Sequence, residues 1–236
     1  MNDLLLPENL KGFRIHMVGI KGTGMAALAE LLSSRGAVLT GSDVPEVFYT
    51  DAILSKIGIH VLTTFNERNL GSDIQLVIHS SAFKKEENPE LIAAAARNIP
   101  VLLYTEALGE FSQRSFSCGI SGVHGKTTTT GIAGTLVKNL PLECSVLAGS
   151  VISSFDNHCT LISGNTYFIA ETCEYQRHFM SFRPQKILLT SIESDHQDYY
   201  PTYESILSAF MQYIDLLPQF GELIYCADDP GAREAA

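Results

Sequence analysis

The amino-acid sequence predicts an α/β protein in two parts, each a mostly parallel sheet flanked by helices. Three observations carry that prediction. Short apolar runs alternate with stretches of helical spacing, the pattern of strands joined by crossover helices. A G-x-G-x-x-A string, Gly22 to Ala27, joins the first apolar run to the first helical stretch. One hundred residues later, Gly122-Val123-His124-Gly125-Lys126-Thr127-Thr128 repeats the strand–loop–helix arrangement.

Taken in order, Arg14–Val18 reads as a strand that runs into glycines at 19, 22 and 24. Met25–Arg35 carries Met25, Leu28, Ala29 and Leu32 at helical spacing, and Gly36 supplies a stop. A second strand over Ala37–Thr40 ends in Gly41-Ser42-Asp43. Further strands fit Ile59–Leu62, Ile74–His79 and Val101–Leu103, with an alanine-rich helix at Pro89–Arg97. The polar stretch Ser112-Gln113-Arg114-Ser115, in the segment Leu108–Ser115, reads as a linker, so the domains are expected at 1–110 and 111–236. The second domain begins with strand Phe116–Ser121 and helix Lys126–Leu140. Tyr167–Ala170 and Ile187–Thr190 have the composition of buried strands. Tyr203–Leu217 is helical with Thr202 as its cap, and Leu223–Cys226 is a last strand.

Composition narrows the function. Of 236 residues, 45% are hydrophobic and 18% charged, enough apolar material for real cores. A net charge of −10 argues against a general nucleic-acid binder but allows a phosphate site built from backbone N–H groups and one lysine. Five cysteines without a C-x-x-C pair read as reduced thiols. The N-terminus MNDLLLPENLKGF lacks the basic and apolar regions of a secretion signal, and no apolar run approaches a membrane span of roughly 18 residues. A soluble cytoplasmic protein is expected.

Chemistry is concentrated in three places. In the string Gly122–Thr128, glycines let the backbone turn N–H groups around phosphate oxygens. Lys126 would reach the outer phosphates, and the Thr127 hydroxyl would ligate magnesium at the positive end of a helix. The spacing G-x-x-x-x-G-K-[ST] is not met, because position 120 is Ile. His124 either contacts nucleotide or fills a turn position. The Gly22–Ala27 string, with Asp43 nineteen residues beyond Gly24, has the arrangement of a Rossmann-like diphosphate site. Glu171 and the string Glu193-Ser194-Asp195-His196 follow two short strands, at the sheet edge where ligands bind. Glu171 and His196 are thus placed to help Thr127 hold magnesium beside Lys126, although histidine is a less usual ligand for so hard an ion. His16, His60, His79, His158 and His178 read as structural, and Tyr199 and Tyr200 as packing and turn residues.

The stretches IHMVGIKGTGMAALAELL, LTGSD, VIHSSAF with its downstream NPEL, ISGVHGKTTTT and SIESDHQDYY together resemble the Mur ligases of peptidoglycan synthesis. The G-x-H-G-K-T-T loop is that family's form, which accounts for the missing first glycine. The resemblance implies that Gly22, Thr23, Gly24 and Met25 take the diphosphate of a UDP-sugar, with Ser42, Asp43, Ser80 and Ser81 near uridine or sugar. It implies an ATP site over Gly122, Val123, His124, Gly125, Lys126, Thr127 and Thr128, with magnesium on Thr127, Glu171 and His196, and Lys126, Glu171 and His196 as the catalytic set. The implied reaction adds L-alanine to UDP-N-acetylmuramate through an acyl phosphate. One departure is Gln176, where many members carry an aspartate after the acids aligned with Glu171 and Glu174. The family's C-terminal, amino-acid-binding domain is not represented in these residues, so the expectation is an inactive fragment of a longer product. Competing readings are the addition of a murein tripeptide to the same sugar nucleotide, an NAD-dependent oxidoreductase built on the Gly22–Ala27 string, and a non-catalytic UDP-sugar-binding module.

Overall fold

The computed structural model of the chain describes residues 4–236, so the first three residues of the N-terminal segment lie outside the described residues. The chain divides into two compact units, meeting at Leu108 and Gly109.

In the first unit, β1 (Arg14–Val18) leads into α1 (Thr23–Ser34) and β2 (Val38–Ser42). They are followed by α2 (Thr50–Lys56), β3 (Val61–Leu62), β4 (Leu76–His79), α3 (Pro89–Ala96) and β5 (Val101–Leu103). The sheet order is β3-β2-β1-β4-β5 and every pairing is parallel. β1 is buried at four of its five positions, because helices cover both faces of such a sheet. The chain leaves β1 toward β2 on one side and returns to β4 on the other. The carboxyl end of β1 is therefore the switch point where parallel sheets leave a crevice. Asn88 caps α3 by accepting from the N–H groups of Glu90 and Leu91, and Pro89 takes the first helical position.

The second unit contains β6 (Phe116–Ser121), α5 (Lys126–Lys138), β7 (Cys144–Ile152), β8 (His158–Ile162) and β9 (Tyr167–Glu171). After a short 3-10 segment, Tyr175–Ser181, come β10 (Lys186–Leu189), α6 (Tyr203–Ile214), β11 (Glu222–Tyr225) and α7 (Pro230–Ala235). The order is β11-β10-β6-β9-β7-β8, parallel except for β8, which lies antiparallel on β7. Phe168 packs against Phe111 and Phe182, and Phe179 stacks on the fully buried Tyr213 at 4.5 Å. Thr202 and Ser205 form the capping box that starts α6.

Two features depart from the expected organisation. A helix absent from the sequence reading, α4 (Tyr104–Ser112), leads into the linker stretch and ends at its first residue, because Ala107, Leu108 and Phe111 give it a buried face; residues 113–115 are turn and bend. The β7–β8 hairpin was not anticipated, since its glycine and serines weaken the strand pattern. Among the described residues, no helix is long and apolar enough to cross a membrane.

Candidate functional site

The loop after β6 is shaped by its neighbour β10. Gly122 has φ +137°, and a Cβ there would lie 2.1 Å from Thr190 Oγ1, so only glycine fits. Val123 N–H donates to Ser191 O at 2.9 Å, His124 N–H to Ser191 Oγ at 3.0 Å, and the Thr190 hydroxyl to His124 O at 2.5 Å. The His124 side chain is exposed while its backbone is held in this turn. No side chain caps the start of α5, which leaves the first N–H groups of that helix to whatever binds at the loop.

Around this loop the structure forms two side-chain groups. In one, the Thr127 hydroxyl lies 3.0 and 2.9 Å from the two carboxylate oxygens of Glu171, at the end of β9. Gly149 on β7 donates its N–H to Glu171 Oε2 at 2.7 Å, and a Cβ on Gly149 would collide with that carboxylate. The Glu171 side chain is thus aimed at Thr127 by the backbone of a third strand. In the other group, Lys126 Nζ donates to Gly122 O at 2.6 Å and to Val123 O at 3.2 Å. It also lies 3.0 Å from both carboxylate oxygens of Glu174, whose side chain is 1% exposed. His196 Nε2 approaches the same carboxylate at 3.3 Å.

The expected magnesium set is therefore divided: Glu171 meets Thr127, while His196 meets Glu174. Among the described residues, no three His, Cys, Asp or Glu side chains converge as a metal-binding group. Glu174, left without a role by the sequence, is the acid that faces both Lys126 and His196. Its Oε2 is buried and faces the Lys126 ammonium at 3.0 Å. The Tyr200 hydroxyl donates to Glu174 O at 2.6 Å, and the N–H groups of Tyr199 and Tyr200 close a turn on His196 O, in agreement with their reading as packing and turn residues. Tyr175, also unmarked in the sequence, packs 4.8 Å from the His196 ring and donates to Asp198. A groove of about 410 Å³ opens beside Thr127 and Thr128, walled by Ile132, Leu136 and Ile152.

In the first unit, Gly22, Thr23, Gly24 and Met25 stand at the start of α1, beside the switch point. Ser42 and Asp43 end β2 at the same edge, but their side chains are turned to the protein. Ser42 is fully buried and its hydroxyl donates to Glu90, which also meets His16 Nε2 at 3.3 Å and Asn69 Nδ2 at 2.5 Å. Asp43 accepts from the Lys21 N–H at 2.7 Å and the Val44 N–H at 2.8 Å. With one N–H bound to each oxygen, Asp43 braces the glycine loop. Ser80 and Ser81 follow β4 at the same edge; Ser80 Oγ accepts from Ala82 N–H, and Ser81 is exposed. His79 is buried against the carbonyls of Ser80 and Phe83, and its burial lowers its pKa.

Comparison with known proteins bears on these groups. A profile of the Mur ligase family, catalytic domain, matches residues 14–116, and one of the Mur ligase middle domain matches residues 120–236. A UDP-N-acetylmuramate–L-alanine ligase of Treponema pallidum (strain Nichols) is 59% identical over 229 residues, 97% of this chain and 48% of that protein. The protein of the same name from Borreliella burgdorferi is 41% identical over 218 residues, 91% of this chain and 47% of that one. Among solved structures, UDP-N-acetylmuramate–alanine ligase from Thermotoga maritima has TM-score 0.81 and 25% identity, covering 94% of this chain and 51% of that chain. The chain spans about half the length of the curated relatives it matches.

Proposed function

This chain belongs to the Mur ligase family, and from that premise we propose that it serves an ATP-dependent ligase joining L-alanine to UDP-N-acetylmuramate. Residues 1–110 are read as the sugar-nucleotide domain and residues 111–236 as the ATP domain. The observation that carries the proposal is what surrounds the family's G-x-H-G-K-T-T loop. An ammonium, a hydroxyl, two carboxylates and an imidazole gather at the carboxyl ends of β6, β9 and β10. The choice of alanine rests on the names of the curated relatives.

Each residue has a definable task. Lys126 fixes a positive charge at the mouth of the loop, where phosphate oxygens meet the N-terminus of α5. Glu174 holds that ammonium and His196 in place. Glu171 accepts the Thr127 proton, which turns the lone pairs of Thr127 Oγ1 outward as a donor set. Magnesium prefers oxygen ligands, and the Thr127 hydroxyl and the Glu171 carboxylate fit it, while His196 and Glu174 stand with Lys126. When bound there, the ion neutralises phosphate charge. In the first unit, the start of α1 receives the sugar-nucleotide diphosphate. For carboxylate activation by phosphoryl transfer, such a site supplies alignment and charge neutralisation. The same reading places the protein in the cytoplasm with its nucleotide substrates.

The test is a phosphate-release assay on the intact protein with ATP, magnesium and UDP-N-acetylmuramate. Release that depends on added L-alanine is expected. Release that answers only to a murein tripeptide, or none with either amine, overturns the proposal.

A further inference from the structure

The segments that carry Glu174 and His196 both pass through backbone conformations that residues with a Cβ seldom adopt. Gln176 and Arg177 have φ 49° and 61°, and His196 has φ 49°. Glycine enters this left-handed region freely, but these three residues do not, so their surroundings must hold them there. Such outliers collect where a site needs its side chains in one arrangement.

Two tyrosines do the holding, each reaching from one turn to the other. The turn after β9 sends Tyr175 to the exposed Asp198, whose Oδ2 accepts from the phenol at 2.7 Å. The turn after β10 sends back Tyr200, which is 4% exposed. Its hydroxyl donates to Glu174 O at 2.6 Å, and its backbone N–H donates to His196 O at 2.7 Å. Glu174 O also accepts from Arg177 N–H at 2.8 Å, so one carbonyl both closes the left-handed turn and receives the phenol. Tyr200 is thereby bonded to the backbone of both residues whose side chains meet beside Lys126. The Tyr175–Asp198 bond competes with water, whereas the Tyr200 bond is buried and leaves Glu174 less freedom. That matters because the Glu174 carboxylate must stay 3.0 Å from Lys126 Nζ and 3.3 Å from His196 Nε2.

We propose that Tyr200 is a positioning residue of the nucleotide site. By holding the Glu174 turn to the His196 turn, its hydroxyl keeps the Glu174 carboxylate against Lys126, so the ammonium meets the transferring phosphoryl group in one place. The inference rests on the proposed ATP site and assigns its alignment to a buried hydroxyl bonded to backbone.

Tyr200→Phe keeps the buried ring and removes the hydroxyl, and Glu174→Gln keeps the backbone carbonyl while removing the charge. The two variants, singly and together, test the proposal in the intact protein. In urea unfolding, the loss caused by Tyr200→Phe should shrink to about half or less in the Glu174→Gln background, because the carboxylate it positions is gone. In alanine-dependent phosphate release, Tyr200→Phe should lower kcat about tenfold and leave KM for ATP and for UDP-N-acetylmuramate within about twofold. The loop N–H groups that would bind the ground-state phosphates are held by Ser191 instead, which is why KM is spared. A bond that only stabilises the fold persists in Glu174→Gln, so its losses would add. Additive losses in unfolding, or kcat within about twofold of wild type, overturn the proposal. So does a Tyr200→Phe protein that does not fold. Wild-type protein without alanine-dependent release overturns the proposed function instead, and the unfolding cycle then decides the role of Tyr200.

Discussion

Exchanging Lys126 for Met and Glu174 for Gln, singly and together, measures how tightly the loop lysine is bound to the buried acid. Nζ is 3.0 Å from both Glu174 oxygens, with the acid 1% and the lysine 14% exposed. At that distance and an effective dielectric of about 20, the gross attraction is about 5 kcal/mol, much of it offset by desolvation. Removing one charge of a buried pair costs about 3–5 kcal/mol, because the other is left uncompensated. Here the lower end applies. Lys126→Met leaves Glu174 beside His196, and Glu174→Gln leaves the ammonium its bonds to Gly122 and Val123 carbonyls. The expected losses are about 3 kcal/mol for Lys126→Met and about 3 kcal/mol for Glu174→Gln. The double variant should lose only about 4 kcal/mol, a coupling of about 2 kcal/mol. Urea unfolding followed by circular dichroism, with a constant m-value, reads all four proteins. Single losses that add up to the double within about 0.5 kcal/mol would show that the pair is not coupled, and the reasoning would fail.

Other consequences follow from single positions. Thr127→Val removes the hydroxyl that Glu171 orients, so magnesium should no longer strengthen ATP binding, while binding without the ion changes little; titrations with and without magnesium decide it. Gly122→Ala places a Cβ 2.1 Å from Thr190 Oγ1 at φ +137°, and should cost about 2–4 kcal/mol with loss of ATP binding; a variant as stable as wild type would contradict the loop geometry. Burial pushes the Glu90 carboxyl up, but hydrogen bonding with His16, Ser42 and Asn69 outweighs it and holds the group below 4.5. Its stabilisation is therefore complete above pH 4.5 and is lost as pH falls through the lower folded value. Glu90→Gln should flatten the acid limb of a stability–pH curve, and an unchanged limb would show that another group controls it.

The sequence by itself determined the repeating strand–loop–helix units, because periodicity, glycine loops and caps are local signals. β1 and β6 span the residues expected, and the starts of α5 and α6 follow from Gly125 and Thr202. It also marked the residues able to grip phosphate, since Gly122–Thr128 carries its chemistry within seven consecutive positions. Which acid faces which partner was decided only by the tertiary structure. Glu171 and Glu174 are three residues apart and chemically alike, but strand register brings Gly149 against the first, while a turn after β9 buries the second beside Lys126 and His196. In the same way Ser42 and Asp43 stand where the motif predicts, yet Glu90 and Lys21 claim their side chains. Those partners lie 48 and 22 residues away along the chain. Contacts at such separations depend on how the sheet packs, and side-chain type at one position carries no record of what that packing brings beside it.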